Sequence, residues 1–224
     1  MEKLLIYSHV FCGVLVLALG MVNLLNRKGT ASHLLIGKIY VAAMWWICLS
    51  AIFIISFYRF SGFLMVIAVL TFYSTFVGVR VLRRKKPGTE QLYDWLVAGL
   101  TAVFGVSLFG YGLYYFYIKG GFHAFALLCV IFGFITGNAA LRDIQFFIKR
   151  HLTDKQWWLR QHIGAMGGSY IAATTAAAVQ NGHVFFPDGD FTWTLWLLPT
   201  IIGSPIISLA SKNYRKRLAL KSAR

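Results

Sequence analysis

Seven apolar stretches of about bilayer-spanning length follow one another along this chain, and that recurrence leaves little choice of fold. They cover residues 4–25, 33–57, 61–82, 92–118, 121–148, 161–180 and 192–211, each close to or above the ~20 residues an α-helix needs to cross the hydrocarbon core. A segment in lipid must satisfy its own backbone polar groups, which a helix does and an open strand does not. The expected fold is therefore all-α: a polytopic membrane bundle of seven transmembrane helices. Composition agrees, since 58% of the 224 residues are apolar while 22 are Lys or Arg and 7 are Asp or Glu. So few charges cannot clothe a water-soluble domain, and so apolar a chain is not a disordered one. The connections are short and marked by Gly29, Gly62, Pro87-Gly88 and Gly120-Gly121, which punctuate turns. Residues 1–211 thus read as one transmembrane domain, followed by a basic tail over 212–224. The first stretch is not read as a secretory signal, because it is long and its cations, Arg27 and Lys28, follow it.

A net charge of +15 would suggest nucleic acid if it were spread over a soluble surface. Placed on seven spans it means something else. Nineteen of the 22 cations fall on the side that receives the connections after spans 1, 3 and 5 and the C-terminal tail; only Lys3, Arg59 and Lys119 fall on the other. With the carboxylates included, one face carries +15 and the other 0. This asymmetry predicts an N-out, C-in topology, with the bilayer itself and its anionic lipids at the cytoplasmic face as the partners of the basic rim, and no nucleic acid. Cys12, Cys48 and Cys129 all lie within spans and are odd in number, so they are expected to be small apolar residues rather than a disulfide framework.

Orientation assigns a membrane face to each histidine. His9 and His123 fall near the outer face, and His33 and His162 near the inner one. The first span runs from His9 to Asn23, then a basic turn, then His33 at the start of the second. The fifth runs from His123 to Asn138, then a basic turn, then His162 at the start of the sixth. The two pairs resemble a parallel internal repeat about an axis along the membrane normal. With ~3.6 residues per turn, His9, Gly13, Val16, Gly20 and Asn23 share one face of the first span. His162, Met166, Ser169, Ala173 and Ala176 share one of the sixth. Small residues permit close helix approach.

Ionisable residues inside a membrane are costly and mark functional sites. Two imidazoles from facing helices can hold a haem iron from both sides, provided each is neutral. The positive helix N-terminus beside His33, His123 and His162 favours the neutral form. The expectation is therefore two b-type haems, an outer one between His9 and His123 and an inner one between His33 and His162. Arg142, Arg160 and Lys38 are candidate partners of the inner propionates. His9 to the end of its span is about 16 residues, or ~24 Å of rise, a fitting separation for centres near opposite faces. The function expected is transmembrane electron transfer, making the chain, if an enzyme, a membrane oxidoreductase exchanging electrons with a quinone or a redox partner.

Two alternatives stay open. His183, Asp188 and Asp190, with His9 and His123 on the same side, form a mixed His/carboxylate set that could bind zinc or another divalent metal ion, as in a transporter of metal ions or small solutes. A ligand-free structural or sensory membrane protein is the other. A retinal protein is excluded because the last span has no lysine before Lys212. No His-x-x-x-His pair and no Walker-type phosphate loop occurs, and spacing alone assembles no Ser-His-Asp set.

His33-Leu-Leu-Ile-Gly37-Lys-Ile-Tyr40, after a span carrying His9 and Gly13, and Trp158-Leu-Arg160-Gln-His162, followed by Met166 and Ser169-Tyr170-Ile-Ala-Ala, together resemble a family of uncharacterised predicted bacterial membrane proteins, a domain of unknown function. The resemblance covers most of spans 1, 2, 5 and 6. It implies a multi-span fold, bacterial or archaeal origin and hence the inner (cytoplasmic) membrane, and carries no activity. The expected di-haem arrangement is similar in logic, by distant analogy, to the cytochrome b561 type.

Overall fold

A computed structural model describes residues 2–58, 61–86, 88–149, 156–187 and 191–222. Its seven long helices are α1 (Glu2–Leu25), α2 (Ala31–Phe57), α3 (Gly62–Arg80), α4 (Leu92–Lys119), α5 (Ala124–Lys149), α6 (Trp157–Gln180) and, after a single short turn α7 (Gly182–Phe185), α8 (Leu198–Ser222). A 3-10 turn over Thr192–Trp196 precedes α8. No strand occurs among the described residues.

A long helix lies at each of the seven expected spans. Five helical stretches, α1, α2, α4, α5 and Thr192–Lys216, are long and apolar enough to cross a membrane, and Leu64–Arg80 in α3 is a shorter apolar helix. The chain is an integral membrane protein of the polytopic helical kind. Two boundaries differ from the sequence reading. The last span begins with a 3-10 turn, and the basic tail does not leave the helix at 211, because α8 runs on to Ser222. Pro199 sits in the first turn of α8, where a missing N–H costs nothing; Pro205 lies inside it.

Contacts gather the chain into two compact units, Met1–Val79 with Arg160–Arg224, and Arg80–Leu159. Helix α5 is joined to α4 in the second unit, while α6 from Arg160 onward belongs to the first.

In the first unit, α1 and α2 form a hairpin whose turn is built from its own side chains. Lys28 Nζ donates to the carbonyls of Asn23 and Leu24 at 2.6 and 2.7 Å, satisfying acceptors that the end of α1 leaves open. Gly29 takes φ +80°, a conformation that suits glycine. Thr30 caps α2 by accepting from the His33 backbone N–H, which fixes His33 in the first turn. The core around Val16, Tyr40, Ala43, Met44 and Cys48 is closed by Cys12 and Leu19 from α1, Phe72 from α3, and Met166, Tyr170 and Ala173 from α6. Leu4, Tyr7, Phe11 and Val14 of α1 are exposed, an apolar face of the size that meets lipid.

In the second unit, α4 and α5 turn through Gly120 and Gly121, both at positive φ. They approach closely because glycines oppose backbone in antiparallel register: Gly105 lies against Gly137, Gly133 against Phe109, and Gly112 against Val130 and Ala126. This is the small-residue packing that lets membrane helices touch.

Candidate histidine site

His9, on α1, reaches across the hairpin to α2. Its Nδ1 lies 2.8 Å from Ser50 Oγ. The Ser50 hydroxyl is committed to the Trp46 carbonyl at 2.6 Å, so its oxygen accepts from the ring, and the Ile47 carbonyl is a further acceptor beside it. The hydrogen-bond network therefore assigns the proton to Nδ1 and leaves the Nε2 lone pair open.

His162, in the second turn of α6, makes the same kind of bond to α3: Nδ1 lies 2.8 Å from the Gly78 carbonyl oxygen. A carbonyl can only accept, so Nδ1 donates and Nε2 of the neutral ring is again the free lone pair. An Nδ1–H···O=C bond is the usual way a ligating imidazole is held in one tautomer and orientation. Gly78 is hemmed in by Met166, whose Sδ would lie 2.6 Å from a Cβ at that position, so no side chain separates α3 from α6 here.

His33 lies within electrostatic range of both His162 and Lys28. Two buried polar atoms in this cluster have no hydrogen-bond partner, His33 Nδ1 and Asn23 Oδ1. Asn23 Nδ2 reaches the His33 backbone carbonyl at 3.4 Å. Burial alone holds the Lys28 ammonium below the usual lysine range, as the hydration lost in the turn disfavours charge. Seven residues further along both helices, Tyr40 Oη and Ser169 Oγ share a buried hydrogen bond of 2.9 Å. The equal step on α2 and α6 means that the two run parallel and in register, with the histidines two turns, ~10 Å, from the bond.

The structure places His33 within electrostatic range of His162, and gives His9 a partner, Ser50, that the sequence reading missed. His123 belongs to the second unit, half-buried, its ring edge-on to Tyr115 at 5.6 Å. Arg142, Arg160 and Lys38 are exposed. Of the alternative outer group, His183 is exposed on α7, while Asp188 and Asp190 lie outside the described residues. His151 lies outside them too. Among the described residues no group of three or more His, Cys, Asp or Glu side chains could hold a metal ion. The three cysteines are free.

Comparison with known proteins returns one family. Residues 6–91 match the model of a family described as "Predicted membrane protein (DUF2306)". The match takes in α1 to α3, with His9 and His33, and stops before the parts of α5 and α6 that also carried the sequence resemblance. No curated protein and no solved structure matches the chain, so the cytochrome b561 analogy draws no support from them.

Proposed function

We propose that the protein is a b-type haem membrane protein that moves electrons, with His33 and His162 as the inner axial pair. The observation that carries the reading is the His162 Nδ1–H bond to the Gly78 carbonyl, which leaves Nε2 as a donor beside His33. The donor set suits haem iron: two imidazoles and no nearby thiolate. The orphaned His33 Nδ1 and Asn23 Oδ1 suit it also, since the ring of a ligand needs a partner at its second nitrogen, and Asn23 is already bonded to the His33 backbone. Haem, when bound, supplies one-electron chemistry. The chain orients the imidazoles, keeps the cluster out of bulk water and places the Lys28 charge beside it. Lys38 and Arg160, exposed near the same helix starts, are available to propionates. His9, hydrogen-bonded through Nδ1 to Ser50, stays part of the proposal as an outer ligand on sequence pattern. A quinone or a redox protein is the proposed exchange partner.

The test is an absorption spectrum and haem assay on protein purified from haem-replete cells. A bis-imidazole spectrum is expected, with His162→Ala and His33→Ala each abolishing the inner haem while helicity is kept. A colourless, haem-free preparation sinks the reading, and so does unchanged haem content in both variants.

A further inference from the structure

The basic run Arg83-Arg84-Lys85-Lys86 between α3 and α4 fits an orientation signal facing anionic lipid, except at one member. Arg83, Lys85 and Lys86 are exposed, whereas Arg84 is 1% exposed. Its guanidinium carbon sits 4.6 Å from the centroid of the Phe147 ring. The ring offers the cation its π face but no oxygen or nitrogen acceptor for the N–H groups. The Asp143 carboxylate comes within 3.8 Å of Nη2, which is an ion pair but too long for a hydrogen bond. Asp94, the other carboxylate that feels Arg84, has both oxygens engaged by Arg80 and the Gln91 backbone. Arg84 Nε and Nη1 are buried with no partner at all.

A second unpartnered donor lies in the same aromatic patch. Phe147 adjoins Phe146, whose ring is 4.3 Å from that of Trp157, and Trp157 Nε1 is also buried without an acceptor. The neighbouring Trp158 ring carries the Lys85 ammonium at 4.3 Å. Nearly all buried donors in folded proteins find an acceptor, and a buried cation needs one most. Here the unpaired groups on both side chains are donors, one of them cationic, and the exposed cations Arg83, Lys85 and Lys86 adjoin Arg84 in the chain.

We infer that Arg84, together with the indole N–H of Trp157 in the same aromatic patch, is an anion-binding site of the second unit that takes a phosphate group. Phosphate offers several charged oxygens to donors diverging from one guanidinium. Two sources share that chemistry, a phospholipid headgroup and free phosphate. Because Arg84 is enclosed, a lipid bound there survives purification.

The experiment uses the full chain, purified in detergent and washed free of bulk lipid, with native mass spectrometry for retained phospholipid and calorimetric titration with inorganic phosphate. One phospholipid per chain, lost in Arg84→Lys and kept in Arg83→Gln, supports the site with lipid as its source. Phosphate binding with the same pattern, weakened at least about ten-fold by Arg84→Lys, as expected when hydrogen bonds to a charged group are lost, supports it with free phosphate. Arg84→Lys keeps the buried charge, so folding is preserved; if it fails, Trp157→Phe is expected to weaken binding in the same assays. Neither ligand bound, or equal loss in Arg83→Gln, overturns the site. Glu90 Oε1 is a buried unpartnered acceptor in the same connection, and strong coupling between Arg84 and Glu90 in a double-mutant cycle with no phosphate found overturns it too.

Discussion

Asp94 offers the clearest quantitative test of how the second unit holds together. Its side chain is fully buried and Arg80 is 11% exposed. Arg80 Nε and Nη2 donate to its two oxygens at 2.8 and 2.6 Å, and the Gln91 backbone N–H donates to Oδ2 at 2.9 Å. One carboxylate therefore ties the end of α3 to the start of α4 and caps α4 at the end where negative charge is favoured. Asp94→Asn keeps the shape and removes the charge. Breaking a buried pair from one side costs ~3–5 kcal/mol. Arg80 has a little exposure and can tilt toward the headgroups, so the lower end, ~3 kcal/mol, is expected. About 0.3–1 kcal/mol of that is the lost negative charge at the start of α4. The companion variant Arg80→Met with Asp94→Asn removes the stranded guanidinium, leaving a loss nearer ~1 kcal/mol. Unfolding by mixed-micelle titration, followed by circular dichroism, measures both. A loss below ~1 kcal/mol for Asp94→Asn, or no recovery in the double variant, would refute the reasoning that a desolvated charge is what matters here.

Gly105→Ala places a methyl on the backbone of Gly137 and is expected to destabilise by ~1–3 kcal/mol through forced separation of α4 and α5. Gly99→Ala or Gly110→Ala, with open space at both positions, is expected to be neutral or mildly stabilising by the better helix propensity of alanine; equal losses at all three would remove the close-packing account. Tyr40→Phe deletes the buried bond to Ser169 and should cost ~0.6–1.5 kcal/mol. On the haem proposal it also loosens the inner pair two turns away, seen as a weaker or broadened haem spectrum.

Helix positions were legible in the sequence because a lipid-spanning helix is written in consecutive residues. The seven expected spans fall within a few residues of α1 to α6 and α8. Partnerships were not. Tyr40 and Ser169 lie 129 positions apart, and no local pattern announces that they share a hydrogen bond. The Gly78 carbonyl that fixes His162 is backbone, which every residue has, so nothing in the letters marks it. Ser50 had a faint signal, as a polar residue near the outer end of α2 at the depth of His9. Arg84 was hidden among like charges. No local pattern sets it apart from Arg83, Lys85 and Lys86.

One consequence concerns how the chain enters its membrane. α6 has the length of a span, yet it is not among the helices apolar enough to cross unaided. Its polar groups are answered by α1, α2 and α3: Tyr170 Oη donates to the Leu17 carbonyl, Ser169 pairs with Tyr40, and His162 binds Gly78. The Tyr170 ring also occupies the notch that Gly20 leaves in α1. All of these partners leave the ribosome before α6 does. Synthesis order thus supplies a prepared receptacle, and α6 partitions into protein rather than into lipid. A chain permuted to present α6 first would have to insert it bare.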